Sequence, residues 1–133
     1  GVHALVEHLE TQDDMLVGLL TGNIREGARR KLQVVSLQRL IDRPGGFADD
    51  GRERAAIAHA ALAKAIRHGV DPQRVVVIGD TQHDVSCARA IGAKAIAVTT
   101  GGTVRNVLEE SGADLVLENL GDIGPILELV GRL

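Results

Sequence analysis

The sequence has few aromatic residues, one cysteine and no long apolar run. Aromatic residues make up 1% of its 133 positions while 44% are hydrophobic, so the core must consist almost wholly of aliphatic side chains. A single cysteine excludes an internal disulfide, and no apolar stretch approaches the ~20 residues that span a bilayer. The net charge of -3 and the shortage of base-stacking rings argue against nucleic acid as a partner. These absences predict a cytoplasmic protein that binds neither membrane nor nucleic acid.

What is present is the composition of one small folded domain. A mean hydropathy of +0.07 with 25% charged residues is far from that of a disordered chain. A chain of this length can bury roughly two thirds of the surface that it exposes when unfolded. No internal repeat, linker-like tract or second composition regime interrupts it, so we expect residues 1–133 to form a single domain.

The apolar residues follow an alternating pattern of helices and strands. Val2, Leu5, Val6 and Leu9 have the spacing of an amphipathic helix, whereas the unbroken apolar runs at residues 15–20 and 75–78 are typical of strands buried on both faces. The predicted helices cover residues 2–10, 24–37, 54–68, 84–90, 104–111 and 123–130, and the predicted strands cover residues 15–20, 75–78, 95–98 and 115–117. The alternation predicts an α/β fold: a doubly wound, Rossmann-like parallel sheet between two helical layers.

The run at residues 15–20 ends in Thr21, Gly22 and Asn23, just before a predicted helix. A hydroxyl, a glycine that lets backbone approach a ligand and a carboxamide, placed where free helix N–H groups favour anions, predict a phosphate site. An equally good interpretation is that Asn23 is the N-cap of the helix.

The run at residues 75–78 ends in GDTQHD, residues 79–84, which places Asp80 and Asp84 on either side of a strand-to-helix turn. Two acids in one crevice repel each other, and such repulsion is tolerated where a hard cation such as Mg²⁺ lies between them. The alternative is that Asp84 favours the positive end of the helix and Asp80 is an ordinary cap.

Ligands of parallel sheets bind beyond the carboxyl ends of the strands, so we expect both loops to line one crevice. Together they predict half of a phosphoryl-transfer centre, with Thr21 and Asn23 on phosphate oxygens. Asp80 and Asp84 would hold the metal. A basic residue should neutralise the remaining charge, and the candidates are Arg52, Arg54 and Lys64.

These motifs resemble those of the haloacid dehalogenase (HAD) superfamily, most members of which are Mg²⁺-dependent phosphatases. Residues 15–23, MLVGLLTGN, resemble its second motif, a hydrophobic strand that ends in Thr or Ser. Residues 75–84, VVVIGDTQHD, resemble its fourth motif, G-D-x-x-x-D, and residues 88–93, ARAIGA, continue as such proteins usually do. The wording LTGN is similar to phosphoglycolate-phosphatase-like members, which implies a small phosphomonoester as substrate.

The sequence departs from the family at two motifs. The third motif is commonly a lysine before a proline, but the corresponding residues 51–55 are GRERA. The phosphate-binding role therefore passes to Arg54, with Arg52 second. The resemblance implies Thr21, Arg54 and Asp80 as catalytic residues, Gly22 and Asn23 as further phosphate ligands, and Asp80 with Asp84 as Mg²⁺ ligands.

The first motif, a strand ending D-x-D-G-T, does not occur in the sequence. In the family it supplies the aspartate that forms an aspartyl-phosphate and a second aspartate that acts as general acid and base. Its strand lies between those of the second and fourth motifs, and without it two strands would expose unpaired backbone. We therefore expect the sequence to be the C-terminal portion of a longer protein whose N-terminal strand and cap precede Gly1, or a separate segment to fill the slot.

Three functions are compatible with these features. The first is a phosphohydrolase core that uses a nucleophile outside the 133 residues, so that these residues alone are inactive. The second is a catalytically inactive phosphate- or metal-binding module on the same scaffold. The third is a receiver-like signalling domain, for which Asp80 and Lys94 make a poor match.

Overall fold

The computed structural model of the chain describes residues 1–133 and divides into two units. We call Val6–Val70 the helical unit, and Gly1–Leu5 with Asp71–Leu133 the sheet unit. The α-helices are α1 (Val2–Glu10), α2 (Arg25–Val34), α3 (Arg54–Arg67), α4 (Gln82–Ala90), α5 (Arg105–Glu110) and α6 (Gly124–Gly131). The strands are β1 (Val76–Gly79), β2 (Lys94–Val98) and β3 (Leu115–Leu117), and short 3-10 helices cover Gln38–Asp42, Ala48–Asp50 and Thr99–Gly101.

The sheet unit contains a parallel sheet with strand order β1-β2-β3. Helix α4 connects β1 to β2 and helix α5 connects β2 to β3, as parallel neighbours require. These three strands confirm the predictions to within one residue at each end. The carboxyl ends of β1 and β2 therefore lie at one edge of the sheet, where the turn that holds Asp80 begins.

The core of the sheet unit is aliphatic, as the composition predicts. Ala95 and Ala97 alternate with Ile96 and Val98 along β2, and all four are buried, so both faces of this central strand are covered. The cluster on one face consists of Val85, Ala88, Ala93, Ala95, Ala97 and Leu108. The small alanine side chains let the backbone of helix α4, which contributes Val85 and Ala88 to this cluster, lie close to β2. Strand β1, in contrast, is only half-buried.

The helical unit has two apolar clusters that share Leu19 and Leu32. One contains Val6, Leu37 and Leu40, and the other contains Ala28, Ile41 and Phe47. Phe47 is the single aromatic residue of the chain and is 2% exposed.

The predicted strand over residues 15–20 is wrong. Its only strand-like pairing is a parallel bridge between Leu20 and Gly46, in which Gly46 N donates to Leu19 O at 2.9 Å and Thr21 N donates to Gly46 O at 3.0 Å. Leu16 is 37% exposed, so the run is not buried on both faces either. An apolar run alone does not make a strand. A strand also needs a neighbour that forms hydrogen bonds along its whole length, and one bridge does not provide this.

The predicted helix ends are correct where glycine marks them. Gly69 has φ +88° just beyond α3, where the sequence places the stop. Helix α2 ends at Val34, three residues before the predicted end, because Ser36 takes the left-handed conformation with φ 59° and Leu37 N donates to Leu32 O at 2.9 Å. A serine in that position gives no sequence signal.

None of the helices has the length and apolar character that crossing a bilayer requires.

Candidate active site

The Thr21 turn, residues 21–23, is held together by its own side chains. Thr21 Oγ1 accepts hydrogen bonds from Asn23 N and Asn23 Nδ2, both at 3.1 Å, and Lys31 Nζ donates to Asn23 Oδ1 at 3.2 Å. Ile24, not Asn23, is the N-cap residue of α2, so the capping interpretation of Asn23 is wrong. A hydroxyl that already accepts two bonds retains its proton for donation, which is the property that a ligand of phosphate oxygen needs.

Arg54 lies beside this turn. A Cβ added to Gly22 would lie 3.5 Å from Arg54 Nη2, so the glycine leaves room for the guanidinium against the backbone of the turn. Arg54 is the first residue of α3, which projects it from the start of the helix. Arg52 and Arg54 are both exposed, and it is Arg54 that lies against Gly22, whereas Lys64 is occupied elsewhere in the helical unit.

Residues 45–50, which we call the bracing loop, run alongside the Thr21 turn. Ala48 N donates to Asn23 O at 2.8 Å, and Arg25 N donates to Asp49 Oδ1 at 2.6 Å. The first amide of α2 is therefore occupied by a carboxylate of the chain itself, which corrects the expectation that this helix end is open to an anion. The sequence signal for this contact is the acidic pair Asp49 and Asp50.

Lys64 holds the bracing loop to α3. Its Nζ donates to Gly45 O at 2.8 Å and to both carboxylate oxygens of Asp50 at 3.0 Å. Asp50 Oδ2 also accepts from Phe47 N at 2.8 Å. Partial burial raises the pKa of Asp50, but the Phe47 amide and the Lys64 ammonium together outweigh this and leave that pKa below its usual value. The Asp50 carboxylate is thus ionised at neutral pH.

In the sheet unit, the acidic turn between β1 and α4 is closed by Asp84. Its Oδ2 accepts three hydrogen bonds, each of 3.0 Å, from Asp80 N, Thr81 N and Thr81 Oγ1. This is a capping box with Thr81 as N-cap. A side chain at Gly79 would collide with the Asp84 carboxyl group, which explains the glycine there. Asp84 therefore lies at the positive end of α4, as the alternative interpretation states, but the N-cap is Thr81, so the part of that interpretation that makes Asp80 the cap is wrong.

Asp80 lies at the carboxyl edge of the sheet, as predicted. Its carboxylate lies so close to the backbone of Gly101 that a Cβ at that residue would collide with Asp80 Oδ2. Gly101 ends the 3-10 helix that follows β2, so the ends of two neighbouring strands meet at this carboxylate. We did not predict this role for Gly101, and the only signal for it is the glycine pair at positions 101 and 102.

The donors at the acidic turn suit a hard cation. Carboxylate oxygen is the ligand that Mg²⁺ prefers, and one or two carboxylates with water and phosphate usually complete its shell. The chain contains no group of three or more His, Cys, Asp or Glu side chains that could hold a metal ion. The pair Asp80 and Asp84 therefore fits Mg²⁺ as part of a ligand set, and their assignment to the metal stays a prediction.

A parallel α/β sheet with a G-D-x-x-x-D turn at its carboxyl edge is typical of the HAD-like class of proteins. The family model described as HAD-hydrolase-like matches residues 51–123, more than half of the chain. The chain belongs to this family, which confirms the resemblance.

Comparison with individual proteins gives the same result. The chain is 27% identical over 81 residues to phosphoglycolate phosphatase of Escherichia coli K12, covering 61% of this chain and 32% of that protein. It is 29% identical over 123 residues to phosphoglycolate phosphatase of Synechococcus elongatus, covering 92% of this chain and 56% of that protein. The chain thus spans about half, or less, of the length of these relatives.

Among solved structures, a haloacid-dehalogenase-like hydrolase family protein from Streptococcus pneumoniae matches with a TM-score of 0.75. The match covers 99% of this chain and 58% of that chain at 21% sequence identity. It confirms the predicted fold class, a doubly wound, Rossmann-like α/β core.

Proposed function

We propose that these residues are the core of a Mg²⁺-dependent phosphohydrolase that acts on a small phosphomonoester. The observation that carries the proposal is the Thr21 turn, where a hydroxyl with a proton left to donate lies beside Gly22 and the Arg54 guanidinium. Membership of the HAD-like family and the activity named for the phosphoglycolate phosphatase relatives support it.

In this proposal the helical unit supplies the phosphate ligands. The Thr21 hydroxyl donates to one phosphoryl oxygen, and the Arg54 guanidinium pairs with the charge on the others. Gly22 keeps the space between them open, and Asn23 orients the hydroxyl by donating two hydrogen bonds to it. Such fixed donors stabilise charge on the transferred group without reorganisation during the reaction.

The sheet unit supplies the metal ligands in this proposal. Asp80 is the principal ligand, and Asp84 contributes while its Oδ2 fixes the turn. Bound Mg²⁺ would offset the negative charge of the phosphoryl group. Gly101 holds the Asp80 carboxylate in place, and Gly79 leaves room for Asp84 to fold back over the strand end.

The nucleophile is a carboxylate from outside these residues, because the sequence has no D-x-D-G-T segment. That carboxylate attacks phosphorus, the bond from phosphorus to the substrate oxygen breaks, and the alcohol leaves with a proton from a general acid. Water then hydrolyses the aspartyl-phosphate, which releases phosphate and restores the carboxylate. In this proposal the 133 residues alone show no turnover.

The test uses the protein translated from the whole reading frame that contains these residues. Phosphate release is measured from a panel of small phosphomonoesters, beginning with phosphoglycolate, with Mg²⁺ and with chelator. We expect Mg²⁺-dependent turnover that Asp80→Asn lowers at least ~100-fold, whereas the exposed control Asp13→Asn leaves it unchanged. Full turnover in Asp80→Asn contradicts the site.

A catalytically inactive phosphate- or metal-binding module is the second candidate. The absence of the first motif from the sequence favours it. Calorimetry distinguishes the two functions: a module binds inorganic phosphate or Mg²⁺ yet releases no phosphate from any ester in the panel.

A further inference from the structure

The backbone of the Thr21 turn is positioned from outside by the bracing loop. Four hydrogen bonds of 2.6 to 3.0 Å join residues 19–25 to residues 46–49. The two segments are also in close backbone contact, because a Cβ on Gly45 would lie 2.8 Å from Leu19 O. Any displacement of the bracing loop therefore displaces the turn.

The bracing loop is in turn attached to α3 by the ion pair of Lys64 and Asp50. Lys64 reaches Gly45 O at one end of the loop, and Asp50 lies at the other end. Lys64 Nζ also lies 5.7 Å from the centroid of the buried Phe47 ring in the middle of the loop. The side chains of Lys64 and Asp50 are 29% and 22% exposed, so the pair is partly shielded from water.

An ammonium group has three donors, and the Lys64 ammonium has an acceptor for each: Gly45 O and the two Asp50 oxygens. It therefore has no donor left for a phosphate oxygen, although the sequence made Lys64 a candidate for that role.

From these contacts we infer that the Lys64–Asp50 ion pair is a positioning device for the Thr21 turn. Neither residue touches the substrate. The pair fixes the bracing loop, and the loop fixes the Thr21 hydroxyl relative to Arg54. This inference rests on the proposed function, since it names the residues that keep the proposed phosphate ligands in register.

The test is a double-mutant cycle in the protein from the whole reading frame. Lys64→Met and Asp50→Asn each release the loop, so each is expected to lower kcat/KM about 10- to 100-fold. The double variant is expected to be no worse than the worse single variant, because both remove the same contact. Lys64→Arg, which keeps the ion pair, is expected to recover most of the loss.

The matched control is the ion pair of Arg39 and Glu10, which has a contact of 2.8 Å in the same unit but does not involve the bracing loop. Urea unfolding of Glu10→Gln and Asp50→Asn separates stability from positioning. Glu10→Gln is expected to leave kcat/KM of the folded protein unchanged. A purely structural role for Asp50 would leave it unchanged in Asp50→Asn as well and would overturn the inference.

If Lys64→Met lowers kcat/KM and Asp50→Asn does not, Lys64 is a direct phosphate ligand and the inference fails. If the wild-type protein hydrolyses no ester, the proposed hydrolase function fails, and the same cycle is read from the Kd of inorganic phosphate. Equal weakening by both single variants then supports positioning. Unchanged binding in both variants, or no phosphate binding in the wild type, overturns it.

Discussion

The two units divide the charges of the chain unequally. The helical unit has ten basic and nine acidic residues, whereas the sheet unit has five basic and nine acidic residues. The residues proposed to bind phosphate belong to the first, and those proposed to bind metal belong to the second. The weakly acidic net charge of the whole chain therefore conceals one unit that is nearly balanced and another that is clearly acidic.

The units also position the side chains proposed to act in the site by different means. In the sheet unit, Asp80 is placed by strand register and by the close backbone of Gly101. In the helical unit, the Thr21 turn is placed by the bracing loop and the side chains of Asp49, Asp50 and Lys64. Backbone placement is insensitive to most side-chain changes, whereas side-chain placement fails when one partner is removed.

The largest effect is expected in the core of the sheet unit. Leu108 is fully buried against β2 and α4, so Leu108→Ala is expected to lower the free energy of unfolding by about 2–5 kcal/mol. Denaturant unfolding measures this, with Val104→Ala as control because Val104 is 63% exposed. A loss no larger than that of the control would mean that the sheet unit does not depend on this core.

The next effect tests whether Asp80 is placed by backbone. Gly101→Ala puts a methyl group where the Asp80 carboxylate lies. We therefore expect kcat to fall about 100-fold and the Mg²⁺ concentration that gives half-maximal activity to rise. Phosphate release at varied Mg²⁺ measures both. Gly131→Ala is the control, since a Cβ there meets no atom within 4 Å. Wild-type activity in Gly101→Ala would remove the contrast between the units.

The same difference explains which features could be predicted. Three of the four apolar runs predicted as strands lie in the sheet unit, where each has a hydrogen-bonded parallel neighbour along its length. The fourth, at residues 15–20, has a single bridge and forms no strand. The GDTQHD turn follows from the end of one run. The bracing loop could not be predicted from the spacing of apolar residues, because it is held by Lys64, which bonds to Asp50 from 14 residues further along the chain. The end of α2 could not be predicted either, because Ser36 rather than a glycine takes the left-handed conformation there. The loop conformations of the helical unit depend on contacts between side chains that are distant in the sequence, and no local sequence pattern indicates such contacts.

Acidification should weaken both units, through Asp114 in the sheet unit and through Asp50 and Glu10 in the helical unit. Burial raises the pKa of Asp114, but the Ala95 amide, which donates to Oδ2 at 2.7 Å, and the charges of Arg89 and Lys94 outweigh this and leave that pKa below its usual 3.8. The pKa of Asp50 is likewise lowered. A carboxylate whose pKa is lower in the folded protein than in the unfolded chain stabilises the fold at pH values above its unfolded-state pKa. This stabilisation is lost as the pH falls through the folded-state pKa.

Asp114→Asn is therefore expected to cost about 1–3 kcal/mol at pH 7 and to flatten the loss of stability below about pH 5. Urea unfolding at several pH values measures both. The exposed Asp71→Asn, whose side chain bonds only to Gln73 N two residues along the chain, serves as the reference. An unchanged pH dependence in Asp114→Asn would show that the acid sensitivity of the chain lies elsewhere.

The smallest effect is expected at Gly22, whose backbone is part of the Thr21 turn and whose lack of a side chain leaves room for Arg54. A methyl group there would lie 3.5 Å from Arg54 Nη2, an ordinary contact, so Gly22→Ala should leave stability nearly unchanged. It would still occupy space next to the guanidinium, so KM is expected to rise a few-fold while kcat holds, the pattern of lost uniform binding. Steady-state kinetics measures this against Gly27→Ala in α2, where a Cβ would lie 3.6 Å from Ile24. A fall in kcat would contradict this expectation and would show that a methyl group at Gly22 also disturbs the donors that stabilise charge on the transferred group.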